Sequence, residues 1–416
     1  MKKLLGVTVL TGALTFVKMS AGFILSKVVA IYAGPGGLAL LGQLQGLNSI
    51  LTGVTNSPVG PGVVKYTAEN CKDKNVESCY SWWRASLFLG LLLCLIIMPI
   101  SILFSENISK YILSSTEYYY LVIITAILLP FSMMGTLTVS IVNGFRNYKL
   151  YITIGFISVI FTTITMVVFT IKSDLHGALM AGAIQTGLIG ILSLLINVFQ
   201  PWFKLKLFFG HFNKTHLNDM WGFMIMALAS AFSLPAALIG IRIILVKFCG
   251  LQQTGEWQAV WKISEAYLAV ITLALATYYL PTISALAEKS KIKAEINSCA
   301  KVLLPFVIIS CVLIFFIKDY LISVLFTSEF SDARDLFAIQ LVGDFLKVFA
   351  WLYSYVLLAK RLTKVFITIE ISFAIIFTLT TYICVSLFGV QGANYAYAFT
   401  YGFYLIIVKY SFHKYI

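Results

Sequence analysis

The sequence predicts an all-α membrane protein with twelve transmembrane helices in two parallel-repeat six-helix bundles around a central cavity, both termini inside. Three observations carry that prediction. Of the 416 residues, 60% are hydrophobic and 11% charged, with mean hydropathy +0.92, whereas a soluble domain is roughly 25% charged. Apolar runs near the ~20 residues a spanning helix needs recur along the whole chain. The second half also repeats the first at a constant offset.

Taken in order, the spans fall at about 4–32, 37–63, 83–104, 118–143, 150–171, 175–199, 220–247, 257–281, 298–317, 336–358, 365–387 and 390–410. The narrowest separation, at Gly389 to Gln391, divides the last two. The first run begins MKKLLGVTVLTGALTF but continues past Lys18 to Tyr32, so it reads as a span and not as a cleaved leader. Gly34, Gly36 and Gly37 around Pro35 mark a tight outer turn between spans 1 and 2. No strand precedes them, so they are not a nucleotide-binding loop.

The net charge of +13 is a topological signature and not a nucleic-acid surface. With the N-terminus inside, twenty Lys and Arg fall in inner segments and five in outer ones, Lys110, Lys172, Lys247, Lys318 and Arg334. The seven cysteines are odd in number, and Cys94, Cys311 and Cys384 sit inside spans, so no disulfide framework is expected. Cys71 and Cys79 lack histidine company and do not read as a zinc site. No metal or cofactor is expected.

Internal comparison gives the repeat. Arg146, Lys149 and YITI from Tyr151 are followed by GALMAGA from Gly177; Arg361, Lys364 and FITI from Phe366 are followed by GANYAYA from Gly392. All share one ungapped offset, the one that carries Arg146 onto Arg361, and Lys27 falls on Arg242 by the same shift. The expected domains are therefore a lobe at 1–205, an inner linker at 206–218 and a second lobe at 219–416. Six spans per lobe keep both copies in one orientation, the arrangement of transporters whose substrate lies between halves.

Eight charges lie within the spans: Lys18, Lys27, Arg242, Lys262 and Lys347, and Glu265, Asp344 and Glu370. A charge at the bilayer centre costs about 2.5–3.5 kcal/mol on insertion scales and marks a functional site by default. Lys27, Arg242 and Lys262 lie about five residues, roughly 7.5 Å, from the outer ends of their spans and are within snorkelling reach of the interface. Lys18 lies near the midplane. Lys18 and Lys27 face opposite sides of a straight helix, with Gly22 between them a candidate hinge. Lys262 with Glu265, and Asp344 with Lys347, stand at i,i+3 and read as ion pairs. Glu370 is placed to bridge a basic end such as Lys364.

The first lobe holds two intramembrane lysines and no intramembrane acid, which predicts an anionic cargo such as a diphosphate held by charge-assisted hydrogen bonds. Lys18, Lys27, Arg242, Lys262 and Lys347 are the candidate substrate-binding residues, with Glu265, Asp344 and Glu370 as charge partners or ion-coupling groups. Trp257, Trp261, Tyr267 and Trp351 are candidate sugar-stacking rings, although Trp and Tyr also gather at membrane interfaces. The four histidines lie at span ends or in loops, the longest outer segments are short, and no Walker motif is present. Catalysis is therefore not expected. A small-cation antiporter and a non-transporting membrane scaffold remain the alternatives to an anion-lipid transporter.

The runs FVKMSAGFILSKVVA, AGPGGLALLGQ, VVKYTAE, NGFRN and SEFSDARDLFAIQLVGDFLKV resemble the Wzx-type flippases of the multidrug/oligosaccharidyl-lipid/polysaccharide exporter superfamily, most closely the branch carrying the enterobacterial common antigen unit. The resemblance covers nearly the whole chain and is most specific at 330–348. It implies two six-helix lobes that move an undecaprenyl-diphosphate-linked oligosaccharide, an O-antigen or related repeat unit, between leaflets of the bacterial inner membrane. It further implies a cationic cavity including Lys18, Lys27, Arg242, and Asp344 with Lys347, and driving by an ion or proton gradient. Expected partners are the lipid-linked oligosaccharide, membrane lipids, and a polysaccharide polymerase with its chain-length regulator. A monomer is expected. Drug antiporters of the superfamily use an acid in the first span, where this chain has two lysines.

Overall fold

The computed structural model describes residues 2–70, 76–204, 208, 210, 213–360 and 362–415. Cys71, Lys72, Lys74, Lys206, His211 and Arg361, and with them part of the predicted linker, lie outside the described residues. The described chain is helical, with no strand. In a bilayer every backbone polar group must be satisfied within its own segment, which leaves the helix as the available solution for these apolar runs.

The helices are α1 (Lys2–Asn56), α2 (Pro61–Asn70), α3 (Tyr80–Leu103), α4 (Ser105–Ile112), α5 (Tyr119–Gly144), α6 (Tyr148–Val198), α7 (Lys214–Ala274), α8 (Leu280–Ala285), α9 (Lys289–Leu325), α10 (Phe337–Ala359), α11 (Thr363–Phe388) and α12 (Gln391–Tyr415). Three of them are double spans. α1 breaks at Gly34 (φ 62°), α6 at Ser173 and Asp174, and α7 at Gly250 (φ 81°). With α3, α5, α9, α10, α11 and α12, these give twelve membrane-length segments among the described residues. The chain is a multi-pass membrane protein.

The duplication is written in the backbone. Asp174 (φ 46°) and Gly389 (φ 60°) are related by the repeat and make the same turn between the fifth and sixth helices of each copy. The positive φ is free for glycine and strained for aspartate. Gly177 sits against the Phe169 carbonyl and Gly392 against that of Cys384, a second repeat-related pair, and a Cβ would collide at either. α11 ends at Phe388 and α12 starts at Gln391, as the predicted separation requires.

Two compact units result. Unit 1 comprises Met1–Ala21 and Gln43–Ala236, and unit 2 comprises Gly22–Gly42 and Ala237–Ile416. α1 and α7 each change unit, after Ala21 and Ala236, positions related by the repeat. α1 is helical through Gly22, so the candidate hinge between Lys18 and Lys27 shows no break; the break at Gly34 is the turn expected between the first two spans.

Within unit 1, α5 and the second half of α6 cross at Gly135 and Gly190, where the backbones approach too closely for a side chain. Asn48 ties this crossing together: its Nδ2 donates to the Gly182 carbonyl at 2.8 Å, and its Oδ1 accepts from Thr125 Oγ1 at 3.1 Å. Within unit 2, Leu268, Ile271, Leu275 and Tyr279 pack on Ile296 and Val307 of α9 and on Val348, Leu352 and Val356 of α10. Cys94, Cys249, Cys299, Cys311 and Cys384 are free thiols. Cys79, which lies outside the predicted spans, is disulfide-bonded, in a chain for which no disulfide framework was expected.

Candidate functional site

The site grows from α10, whose apolar run carries Asp344 and Lys347 one turn apart, both buried. Asp344 is fully buried, and both of its oxygens are satisfied. Oδ2 accepts from Ser264 Oγ at 2.7 Å and from the Tyr267 hydroxyl at 2.6 Å. Oδ1 accepts from the Tyr397 hydroxyl at 2.7 Å and more distantly from Gln340 Nε2 at 3.5 Å. Such donors stabilise a carboxylate more than they would a neutral acceptor. The ring of Tyr397 reaches this position by lying against Gly343, where any Cβ would strike it.

Lys347 is 6% exposed, and its ammonium sits among four aromatic faces. Nζ lies 5.4 Å from the Trp261 centroid, 5.3 Å from Trp351, 5.6 Å from Tyr397 and 5.3 Å from Tyr401. All four distances are within cation–π range. No oxygen among the described residues lies within hydrogen-bonding or ion-pair distance of that nitrogen. Asp344, Glu265 and Glu370 act on that charge from a distance, and none of them touches it.

Acids stand one layer out. Glu265 Oε1 accepts from Trp261 Nε1 at 2.8 Å, placing negative charge at the edge of a ring whose face meets Lys347. Glu370 Oε1 accepts from the Tyr404 hydroxyl at 2.6 Å, and that hydroxyl lies 2.9 Å from Ser354 Oγ. Tyr397, Tyr401 and Tyr404 share one face of α12 at i, i+4 and i+7 and meet edge to face in sequence.

Four expectations are corrected by these contacts. Asp344 does not pair with Lys347, because hydroxyls from α7 and α12 take its oxygens. Lys262 does not pair with Glu265: its Nζ donates to Ser26 Oγ at 3.1 Å. Glu370 meets Tyr404 and not Lys364. Trp257 and Trp261 are 1% and 2% exposed and pack against each other at a tilt, centroids 5.2 Å apart, so in this structure they are closed to a sugar. Tyr267 is engaged through its hydroxyl, and Trp351, half-buried, is part of the cage.

The remaining candidates lie elsewhere. Lys27 donates to the carbonyls of Ser323 and Phe326 at the end of α9, the position where a cation complements the helix dipole. Arg242, 5% exposed, donates from Nε to Gln258 Oε1 at 2.8 Å. Lys18 is exposed and belongs to unit 1. The structure thus gathers Lys347, Asp344, Trp261, Trp351 and Tyr267, with Glu265 and Glu370 behind them. It adds Ser264, Gln340, Tyr397, Tyr401 and Tyr404, which the sequence reading passed over. The three tyrosines had a signal, their shared helical face in span 12.

No family model matches the chain. The chain is 28% identical over 397 residues to the lipid III flippase of Escherichia coli (strain K12) and, to the same extent, to that of Shigella flexneri, covering 94% of each protein. Its fold is similar to an inward-facing multidrug-resistance MATE transporter of the MOP superfamily, with a TM-score of 0.80 at 13% identity over 98% of this chain and 97% of that one. It is also similar to the lipid II flippase MurJ in an inward closed conformation, with a TM-score of 0.71 at 16% identity, covering 98% and 87%. The fold of this chain is that of the MOP-superfamily transporters.

Proposed function

We propose that the protein is a flippase that carries an undecaprenyl-diphosphate-linked oligosaccharide, the repeat unit of a surface glycan, from the cytoplasmic to the periplasmic leaflet of the bacterial inner membrane. The carrying observation is the Lys347 ammonium, buried at membrane depth with aromatic faces around it and no oxygen ligand among the described residues. Such a charge is held ready for an anion brought by a ligand, and a phosphate supplies the acceptors it lacks. The full-length likeness to lipid III flippases supports the lipid-linked class, and the fold supports alternating access. On this reading Asp344 fixes the Tyr397 and Tyr267 hydroxyls, and through them the cage. Lys18, Lys27, Arg242 and Lys262 would supply further positive charge along the route. At the outer leaflet the unit would pass to a polysaccharide polymerase with its chain-length regulator.

The cage also speaks against an exporter of organic cations. Aromatic boxes bind quaternary ammonium groups, but here the protein's own lysine fills the box, and a second cation would be repelled. The test is expression in a bacterial strain lacking its own flippase for a lipid-linked repeat unit. Restored surface glycan is expected, without gained resistance to cationic drugs. Membrane-inserted protein that restores no glycan and raises drug resistance would overturn the proposal in favour of the antiporter.

A further inference from the structure

Unit 1 holds a cleft of about 320 Å³ between α5 and α6, within the ~300–1,000 Å³ range of ligand pockets. Its lining carries no charge: Thr136, Ser140 and Asn143 from α5 and Tyr151, Thr186 and Ser193 from α6 supply the polar groups, with Val139 and Ile189 between them. Along α5 it runs from Ser132 to Asn143, about 16 Å at 1.5 Å per residue. Its floor is the Gly135 and Gly190 crossing, where missing side chains make the room.

The duplication gives this cleft its meaning. By the shift that carries Arg146 onto Arg361, Ser132 corresponds to Lys347, Thr136 to Trp351, Gly182 to Tyr397 and Thr186 to Tyr401. These are the caged lysine and three of its four rings. One copy of the frame has filled the position with a cation and aromatics; the other has kept it small, hydroxylated and open.

The polar groups there have capacity to spare. The side chains of Ser140, Asn143, Tyr151 and Thr186 make no hydrogen bond among the described residues. Ser132 Oγ accepts from Asn56 Nδ2 at 3.3 Å. Buried polar atoms are normally satisfied. A ligand with many hydroxyls and no charge fits this inventory, whereas a phosphate would enter a cleft with no cation on its walls.

We propose that this cleft binds neutral sugar residues, whereas the equivalent position of unit 2 is given over to the Lys347 ammonium and its rings. That the glycan arrives on a lipid rests on the flippase reading; the affinity for neutral sugar does not.

The test uses the purified full-length chain in a sugar-free detergent and saturation-transfer NMR with two probe arms: the free trisaccharides maltotriose and N-acetylchitotriose, and their alkyl glycosides. Saturation transfer to sugar protons is expected in the wild type. Transfer to the glycosides alone identifies a lipid-linked source, and transfer to both identifies the glycan itself as sufficient. Thr186→Tyr, which installs the ring unit 2 carries at the equivalent position, should abolish transfer. Ser140→Ala with Asn143→Ala removes hydrogen bonds without adding bulk and should weaken binding about tenfold, or ~1.4 kcal/mol; this variant decides the matter if Thr186→Tyr does not fold. Lys347→Gln should lose glycan export in cells yet bind the free trisaccharide as the wild type does, which separates failure of this proposal from failure of the flippase reading. Absence of transfer to the wild type, or wild-type binding by the Ser140→Ala/Asn143→Ala protein, overturns the assignment.

Discussion

Replacing Lys347 by Met removes the ammonium while keeping an unbranched side chain of similar length, and its consequences for stability and for transport should part company. A lysine at the centre of a membrane span costs about 2.5–3.5 kcal/mol. Four rings at 5.3–5.6 Å, at ~0.5–1 kcal/mol each, return ~2–4 kcal/mol. These terms nearly cancel, so Lys347→Met should change stability by no more than about 1.5 kcal/mol, or a Tm shift below ~6 °C for a unit of this size. Transport should behave otherwise. Two lost charge-assisted hydrogen bonds to a phosphate, at ~1.5–3 kcal/mol each, weaken substrate binding by at least about 100-fold. The assay pairs thermal unfolding of the purified variant with surface-glycan staining in a strain that depends on this chain for export, membrane levels being matched by immunoblot. Loss of glycan with Tm maintained is expected. A Tm lowered by more than about 10 °C with glycan intact would refute the reasoning, because the ammonium would then be a structural brace.

Asp344→Asn turns one acceptor oxygen into a donor facing other donors, either Ser264 and Tyr267 or Tyr397 and Gln340. The expected loss is about 3 kcal/mol, seen as a markedly lower Tm; a wild-type melt would contradict the hydrogen-bond pattern. Gly343→Ala drives a Cβ into the Tyr397 ring and should lower Tm and glycan export together. Adding Tyr397→Leu should recover part of the Tm but none of the export, and full recovery of export would remove Tyr397 from the site.

Lys347 and Asp344 were legible in the sequence because charges are scarce in an apolar run and each one stands out. Trp261 and Trp351 were noticed too, but for sugar stacking, since an aromatic residue in a chain that is 15% aromatic does not announce its neighbour. Tyr397 and Tyr401 were passed over for the same reason. The i,i+3 pairs misled because adjacency on one helix is visible in sequence, while the better partners come from other helices: Ser264 is 80 residues from Asp344, and Tyr397 is 53. The Lys27 contacts to the Ser323 and Phe326 carbonyls at the end of α9 were hidden likewise, because those partners come from the far half of the chain.

By itself the sequence determined the membrane class, the twelve spans, the turns at Gly34 and Gly389, and the duplication that relates Arg146 to Arg361. These follow from constraints acting along the chain, for each span must satisfy its own backbone within the bilayer and the repeat preserves its spacing. Only the tertiary structure decided that Asp344 is held by hydroxyls, that Lys347 is caged by rings with no acid in direct contact among the described residues, and that the equivalent place in unit 1 stands open. Those outcomes depend on which helix faces pack together and on the volume of the side chains between them, and neither is a property of any single span.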